Sequence, residues 1–210
     1  PFLHITSIQK LVGSTKNVHV GAQNCSQEAS GAFTGEISVE MLKSAGVEYV
    51  VVGHSERREI FGEDDSLLAA KTKAVLDGGL LPIFCCGEQL DSREADQHFA
   101  VNKEQVEKGL FALSKEEILK VVIAYEPVWA IGTGVTASSD QAQEMHAYIR
   151  GLIAEQYDQS TADSISILYG GSVKPGNAEE IFAQPDVDGG LVGGASLKSR
   201  DFVDIIKAFK

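Results

Sequence analysis

Val121-Val122-Ile123-Ala124-Tyr125-Glu126-Pro127 is an apolar run that ends on a carboxylate and is closed at once by proline. A run without polar alternation reads as a strand covered on both faces, which is what a parallel sheet demands. Pro127 fixes the backbone where the strand stops, so Glu126 is delivered at the carboxyl end. Val50-Val51-Val52-Gly53-His54-Ser55-Glu56-Arg57 repeats the pattern with a histidine in the glutamate's place. Parallel α/β folds build their active sites at the carboxyl ends of strands. His54 and Glu126 are therefore candidate partners in acid–base chemistry.

Outward from these two runs the chain alternates. Strand-like segments fall near 17–21, 48–53, 80–86, 120–126, 165–169 and 187–192. Helix-like segments separate them: Val39–Ala45, Asp65–Asp77, Arg93–Leu113, Ser139–Gln156 and Ala178–Ala183, with a final amphipathic stretch at Asp201–Lys210. Repeated strand–helix order means right-handed crossovers and a parallel sheet. The expected fold class is α/β, a (β/α)8 barrel with about six of its eight βα units in this chain. No linker or composition break interrupts it, so residues 1–210 read as a single domain. Residues 1–12 read as a helix without a preceding strand. A full barrel takes about 250 residues, roughly 40 more than this, so Pro1 reads as the middle of a fold with an amino-terminal segment expected upstream.

Thirty acidic against 18 basic residues give a net charge of −12, which argues against nucleic acid or an anionic membrane as partner. A small anionic substrate remains possible, because backbone N–H groups make local positive sites even on an acidic protein. The longest apolar run, Leu80 to Cys86, is too short to span a bilayer, and the amino end lacks the pattern of a secretory signal. Three cysteines, Cys25, Cys85 and Cys86, have neither zinc spacing nor an even count; a reducing, cytoplasmic setting fits them. The vicinal pair reads as core.

After Glu126 and Pro127 comes Val128-Trp129-Ala130-Ile131-Gly132-Thr133-Gly134, an apolar tip bracketed by glycines. Such a segment suits a lid, since glycines absorb dihedral change while Trp129 and Ile131 exclude water. The bland alternative is a solvent-facing glutamate before an ordinary loop. Gly132 to Ala137 also fits G-x-G-x-x-A, but a dinucleotide fingerprint should turn straight from strand into helix, and here five residues intervene. Ser55 is a natural N-cap, which places His54 at a helix amino terminus where the dipole favours a neutral ring. His54 merely capping or packing is the plainer reading. Leu168-Tyr169-Gly170-Gly171-Ser172 and Leu191-Val192-Gly193-Gly194-Ala195-Ser196 are glycine-rich after strands, as are the phosphate-binding loops after the last two strands of barrels; tight turns are the alternative. The connection Asn24–Gly35 is long, small and apolar, suited to docking into another subunit or folding back as a local lid.

Together these segments closely resemble the triosephosphate isomerase family from about Val18 onward. The resemblance is carried by Gly21-Ala22-Gln23-Asn24-Cys25, Gly31 to Glu36, Gly53-His54-Ser55-Glu56-Arg57-Arg58, Ala124 to Gly134, Tyr169 to Val173 and Asp186 to Leu197. The glutamate base paired with a neutral histidine, and the closing lid, are established for that enzyme and enter here from the resemblance. It implies interconversion of dihydroxyacetone phosphate and glyceraldehyde 3-phosphate in glycolysis and gluconeogenesis, without metal or organic cofactor. Glu126 would be the base, His54 the group that polarises the carbonyl, and Glu56 an electrostatic support. Backbone amides of Gly132, Ser172, Gly193 and Gly194 would hold the phosphate, and Tyr169 and Ser172 would latch the lid. The family is also similar in forming homodimers, with Thr34 inserted beside the partner's active site. One departure stands out: the family's Asn-x-Lys segment at the end of its first strand has no counterpart in this sequence. A truncated form serving as a binding or assembly partner, and a different phosphate-binding barrel enzyme, are the alternative readings.

Overall fold

The computed structural model describes residues 1–131 and 136–209. In chain order its elements are α1 (Phe2–Val12), β1 (Gly21–Ala22), α2 (Val39–Ser44), β2 (Tyr49–Val52), α3 (Ser55–Phe61), α4 (Asp65–Asp77) and β3 (Leu81–Cys86). There follow α5 (Leu90–Glu94), α6 (His98–Leu110), α7 (Lys115–Ile118), β4 (Val122–Tyr125), α8 (Ser139–Gln156) and α9 (Gln159–Ser164). The chain closes with β5 (Ile167–Tyr169), α10 (Ala178–Phe182), β6 (Gly189–Gly190) and α11 (Ser199–Lys207). The alternation is that expected of an α/β chain. It divides into two compact units, Pro1–Phe84 with Lys108–Val121, and Cys85–Glu107 with the chain from Val122 onward.

In the first unit β1 runs parallel to β2, with Gly21 opposite Tyr49. β2 runs parallel to β3, from Tyr49 opposite Leu81 to Val52 opposite Phe84. Val50, Val52, Leu68, Val75 and Phe84 are fully buried between these strands and their helices. In the second unit β4 pairs with β5, Tyr125 opposite Tyr169, and β5 with β6, Tyr169 opposite Gly190, again parallel. Ile123, Ala124, Met145, Ile149, Ile153 and Ile167 fill its core. Each unit therefore aligns the carboxyl ends of neighbouring strands, which is where the candidate residues lie.

The capped helices fall where the sequence puts them. α4 begins behind Asp64, whose carboxylate accepts the Leu67 N–H at 2.8 Å. α8 begins behind Ser138, which forms a reciprocal capping box with Gln141. The single helix expected over Arg93–Leu113 is instead two. Asp96 adopts φ 54°, in the left-handed region that a short polar side chain tolerates, and the break separates α5 from α6. The outer strands are also shorter than expected, two residues each, and β6 consists only of glycines. Among the described residues, no helix is long and apolar enough to cross a membrane.

Candidate active site

Glu126 follows directly on β4 and is 1% exposed. A solvent-facing glutamate is thereby excluded. Its N–H donates to the Cys86 carbonyl at 2.7 Å, which ties the residue to the end of β3. Glycine on two sides makes room for it. A Cβ on Gly87 would run into the Glu126 carbonyl, and one on Gly170 would lie 2.8 Å from Glu126 Cγ and 3.0 Å from the Tyr125 carbonyl. The Gly170 N–H also donates to that Tyr125 carbonyl at 2.7 Å.

Sequence reading passed over Glu88, two residues beyond β3. It is fully buried, and its carboxylate collects donors from three directions: the Tyr125 hydroxyl at 3.0 Å, the Trp129 indole N–H at 2.8 Å and the Asn102 amide at 2.9 Å. Arg93 Nη1 stands 3.7 Å away, supplying countercharge to an anion that would otherwise be costly to bury. The Glu88 carbonyl accepts the Val128 N–H at 3.1 Å. One residue thus holds the segment after Glu126 by both side chain and main chain. Burial and the neighbouring Glu88 charge push the Tyr125 phenol well above its ordinary range.

Tyr169 ends β5 fully buried. Burial pushes its phenol up to about 12. A Cβ on the nearby Gly171 would strike the Tyr169 hydroxyl and come within 2.8 Å of Pro127 Cγ. Ser172 is half-buried, and its carbonyl accepts from Asn177 Nδ2 at 3.0 Å, while Asn177 Oδ1 accepts the Lys174 N–H at 2.7 Å. This closes the turn after β5. Gly193 and Gly194 are exposed just past β6; the Gly193 carbonyl accepts from both the N–H and the hydroxyl of Ser196, winding a short 3-10 turn at Gly194–Leu197. Gly132 lies outside the described residues, as does most of the G-x-G-x-x-A stretch. In the second unit Glu126, Tyr169, Ser172, Gly193 and Gly194 thus lie at or shortly after the carboxyl ends of three adjacent parallel strands.

In the first unit His54 stands beyond β2, and it rather than Ser55 is the N-cap of α3. The Ser55 expectation is corrected by an imidazole doing what a hydroxyl usually does. His54 Nδ1 accepts the Glu56 N–H at 3.3 Å, which requires that nitrogen to be unprotonated and leaves Nε2 to carry the ring proton. The Glu56 carboxylate is largely exposed, with Oε2 3.7 Å from the same Nδ1. Thr34 is exposed in the loop after β1, beside Phe33 at 45% exposure. The root of that loop is fixed by a buried cluster that sequence reading also missed. Lys71 Nζ donates to Asn24 Oδ1 at 2.9 Å and to Glu63 Oε1 at 2.6 Å, and Arg57 Nε donates to the same Glu63 oxygen at 2.8 Å. Cys25 beside it is buried, which pushes its thiol up to about 11. Cys85 and Cys86 are likewise buried, in line with their reading as core.

No group of three or more His, Cys, Asp or Glu side chains among the described residues is arranged to hold a metal ion. The family model described as triosephosphate isomerase matches residues 1–209. A triosephosphate isomerase of Cytophaga hutchinsonii is 57% identical over 209 residues, covering 100% of this chain and 82% of the relative. One from Bacteroides fragilis is 55% identical with the same coverage. One from Syntrophotalea carbinolica is 50% identical over 204 residues, 96% of this chain and 81% of the relative.

Proposed function

The chain is an isomerase of the triosephosphate isomerase family, its six parallel strands belonging to that family's (β/α)8 fold, and from this premise we propose that it interconverts dihydroxyacetone phosphate and D-glyceraldehyde 3-phosphate by proton transfer through an enediolate. Glu126 removes a proton from one substrate carbon and returns it to the neighbouring one. His54, with its ring proton on Nε2, donates to the carbonyl oxygen and passes protons between the two enediolate oxygens. Glu56 tunes the field at that histidine. Amides at Ser172, Gly193 and Gly194, joined by Gly132, hold the phosphate dianion, and Tyr169 and Ser172 latch the lid that keeps water from the intermediate.

The observation that carries this reading is a glutamate at 1% exposure at a strand end, its main-chain N–H donating to the Cys86 carbonyl and its carbonyl and Cγ lying against two glycines with no room for a side chain. A base fixed in that way satisfies the demand of proton transfer for position. Proton transfer between adjacent carbons calls for neither metal nor organic cofactor. Residues 1–210 belong to a single barrel domain, which pairs as a homodimer through the loop bearing Thr34. The protein works in the cytoplasm, in glycolysis and gluconeogenesis and at their link to pentose phosphates. Its net charge of −12 disfavours nucleic acid as a partner.

The test is turnover of both triose phosphates by the intact protein and by Glu126→Asp. Retracting the carboxylate by one methylene should lower kcat by about 10²- to 10³-fold while KM changes little. Near-normal turnover by Glu126→Asp would remove Glu126 from its role.

A further inference from the structure

Helix α6 turns two side-chain amides, Asn102 and Gln105, toward the two residues that follow β3. Asn102 donates to the Glu88 carboxylate. Gln105 makes the more unusual contact. Its Oε1 accepts the Gly87 N–H at 2.8 Å, and its Nε2 donates to the Gly87 carbonyl at 3.1 Å. A side chain that satisfies both main-chain groups of one residue does the work of a neighbouring strand just where β3 has ended.

Gly87 is also the residue that bears on Glu126. Its Cα is so close to the Glu126 carbonyl that no Cβ fits between them, and the residue before it accepts the Glu126 N–H. Glycine has the greatest backbone freedom of any residue, so its position against Glu126 depends on what binds its N–H and C=O. Gln105 binds both.

We propose that Gln105 is a positioning residue for the isomerisation: by prolonging the β3 ladder through Gly87, it fixes the main chain from which the Glu126 carboxylate reaches the substrate. The proposal rests on Glu126 being the base. Gln105→Met keeps the length of the side chain and removes both hydrogen bonds, whereas Gln105→Glu keeps the acceptor for the Gly87 N–H and removes the donor.

The experiment measures kcat and KM of both variants on each triose phosphate in the intact protein. Folded protein is quantified by circular dichroism, and Glu126→Asp is run alongside. Gln105→Met should lose about 10- to 100-fold in kcat with KM held within about twofold, since sub-ångström misplacement of a catalytic group has effects of that size. Gln105→Glu should fall between it and the parent. Parental kcat per folded molecule in Gln105→Met overturns the proposal, as does a loss that follows only the folded fraction. Should Gln105→Met fail to fold, Gln105→Glu carries the test, and parental kcat there overturns the proposal equally. If Glu126→Asp is crippled while Gln105→Met is not, only the role of Gln105 falls. Parental turnover in Glu126→Asp would bring down the assignment of the base itself.

Discussion

Gly170→Ala tests whether the space beside Glu126 is as tight as the structure makes it. The glycine does not need a positive φ, so alanine meets no backbone penalty of its own and gains about 0.4–1 kcal/mol from a stiffer unfolded chain. Against this stands the new methyl group, 2.8 Å from Glu126 Cγ and 3.0 Å from the Tyr125 carbonyl, where ordinary contact begins at 3.4 Å. The shortfall at Cγ is about 0.6 Å. The Tyr125 carbonyl sits in the β4 ladder and accepts the Gly170 N–H, so the glutamate side chain is the group that yields. Overpacking of this kind typically destabilises by about 1–3 kcal/mol, leaving a net loss of about 1–2 kcal/mol after the entropy gain. A full ångström of misplacement is worth about 10²-fold in rate, so 0.6 Å implies about tenfold in kcat. Steady-state kinetics on either triose phosphate, with urea unfolding of the same preparation, measures both quantities. Parental kcat together with a parental midpoint would refute the reasoning, because the space beside the carboxylate would then be wider than described.

Two further expectations concern the surroundings. Glu88→Gln leaves an acceptor for Tyr125 and Trp129 but sets an NH₂ against the Asn102 amide and removes the charge that faces Arg93; urea unfolding should show a loss of about 2 kcal/mol, and an unchanged midpoint would contradict the assigned network. His146 on α8 is fully buried, its Nδ1 3.2 Å from the Asp186 carbonyl, and burial pushes its imidazole down to about 4. An unfolded histidine binds a proton near pH 6.5, so between pH 6.5 and 4 the unfolded chain holds the extra proton. Its contribution to stability is complete above 6.5 and declines by about 1.4 kcal/mol per pH unit below it. Denaturation of the parent and of His146→Gln at pH 7, 6 and 5 should show that slope in the parent alone, and equal slopes would contradict it.

What could be read in the sequence followed the range of the signals. α4 and α8 were legible to the residue because Asp64 and Ser138 cap them locally. Glu126 was legible because an apolar strand, a carboxylate and a proline lie in one run. The break between α5 and α6 turns on one left-handed residue, Asp96, inside an otherwise helical pattern. The cap at His54 went to Ser55 because hydroxyls cap helices far more often than imidazoles do. Glu88 was invisible for a different reason: its partners Tyr125 and Trp129 lie 37 and 41 residues further on, and only the pairing of strands brings them to it. The ion cluster of Lys71, Glu63, Arg57 and Asn24 likewise spans up to 47 residues. In each case a lone charged residue in the sequence looks like surface, and burial is what reveals its role.

Gly87 and Gly170 confine Glu126 by what they lack, one against its main chain and one against its side chain, and this has a bearing on how the gene can vary. Every missense change in a glycine codon adds at least one carbon, so at these two positions all amino-acid variation runs in one direction, toward collision with Glu126. A large side chain that walls a site can be trimmed by one mutation and regrown by another, whereas an absent one offers drift no intermediate size to pass through. Sequence change beside Glu126 is therefore channelled outward, away from these two positions.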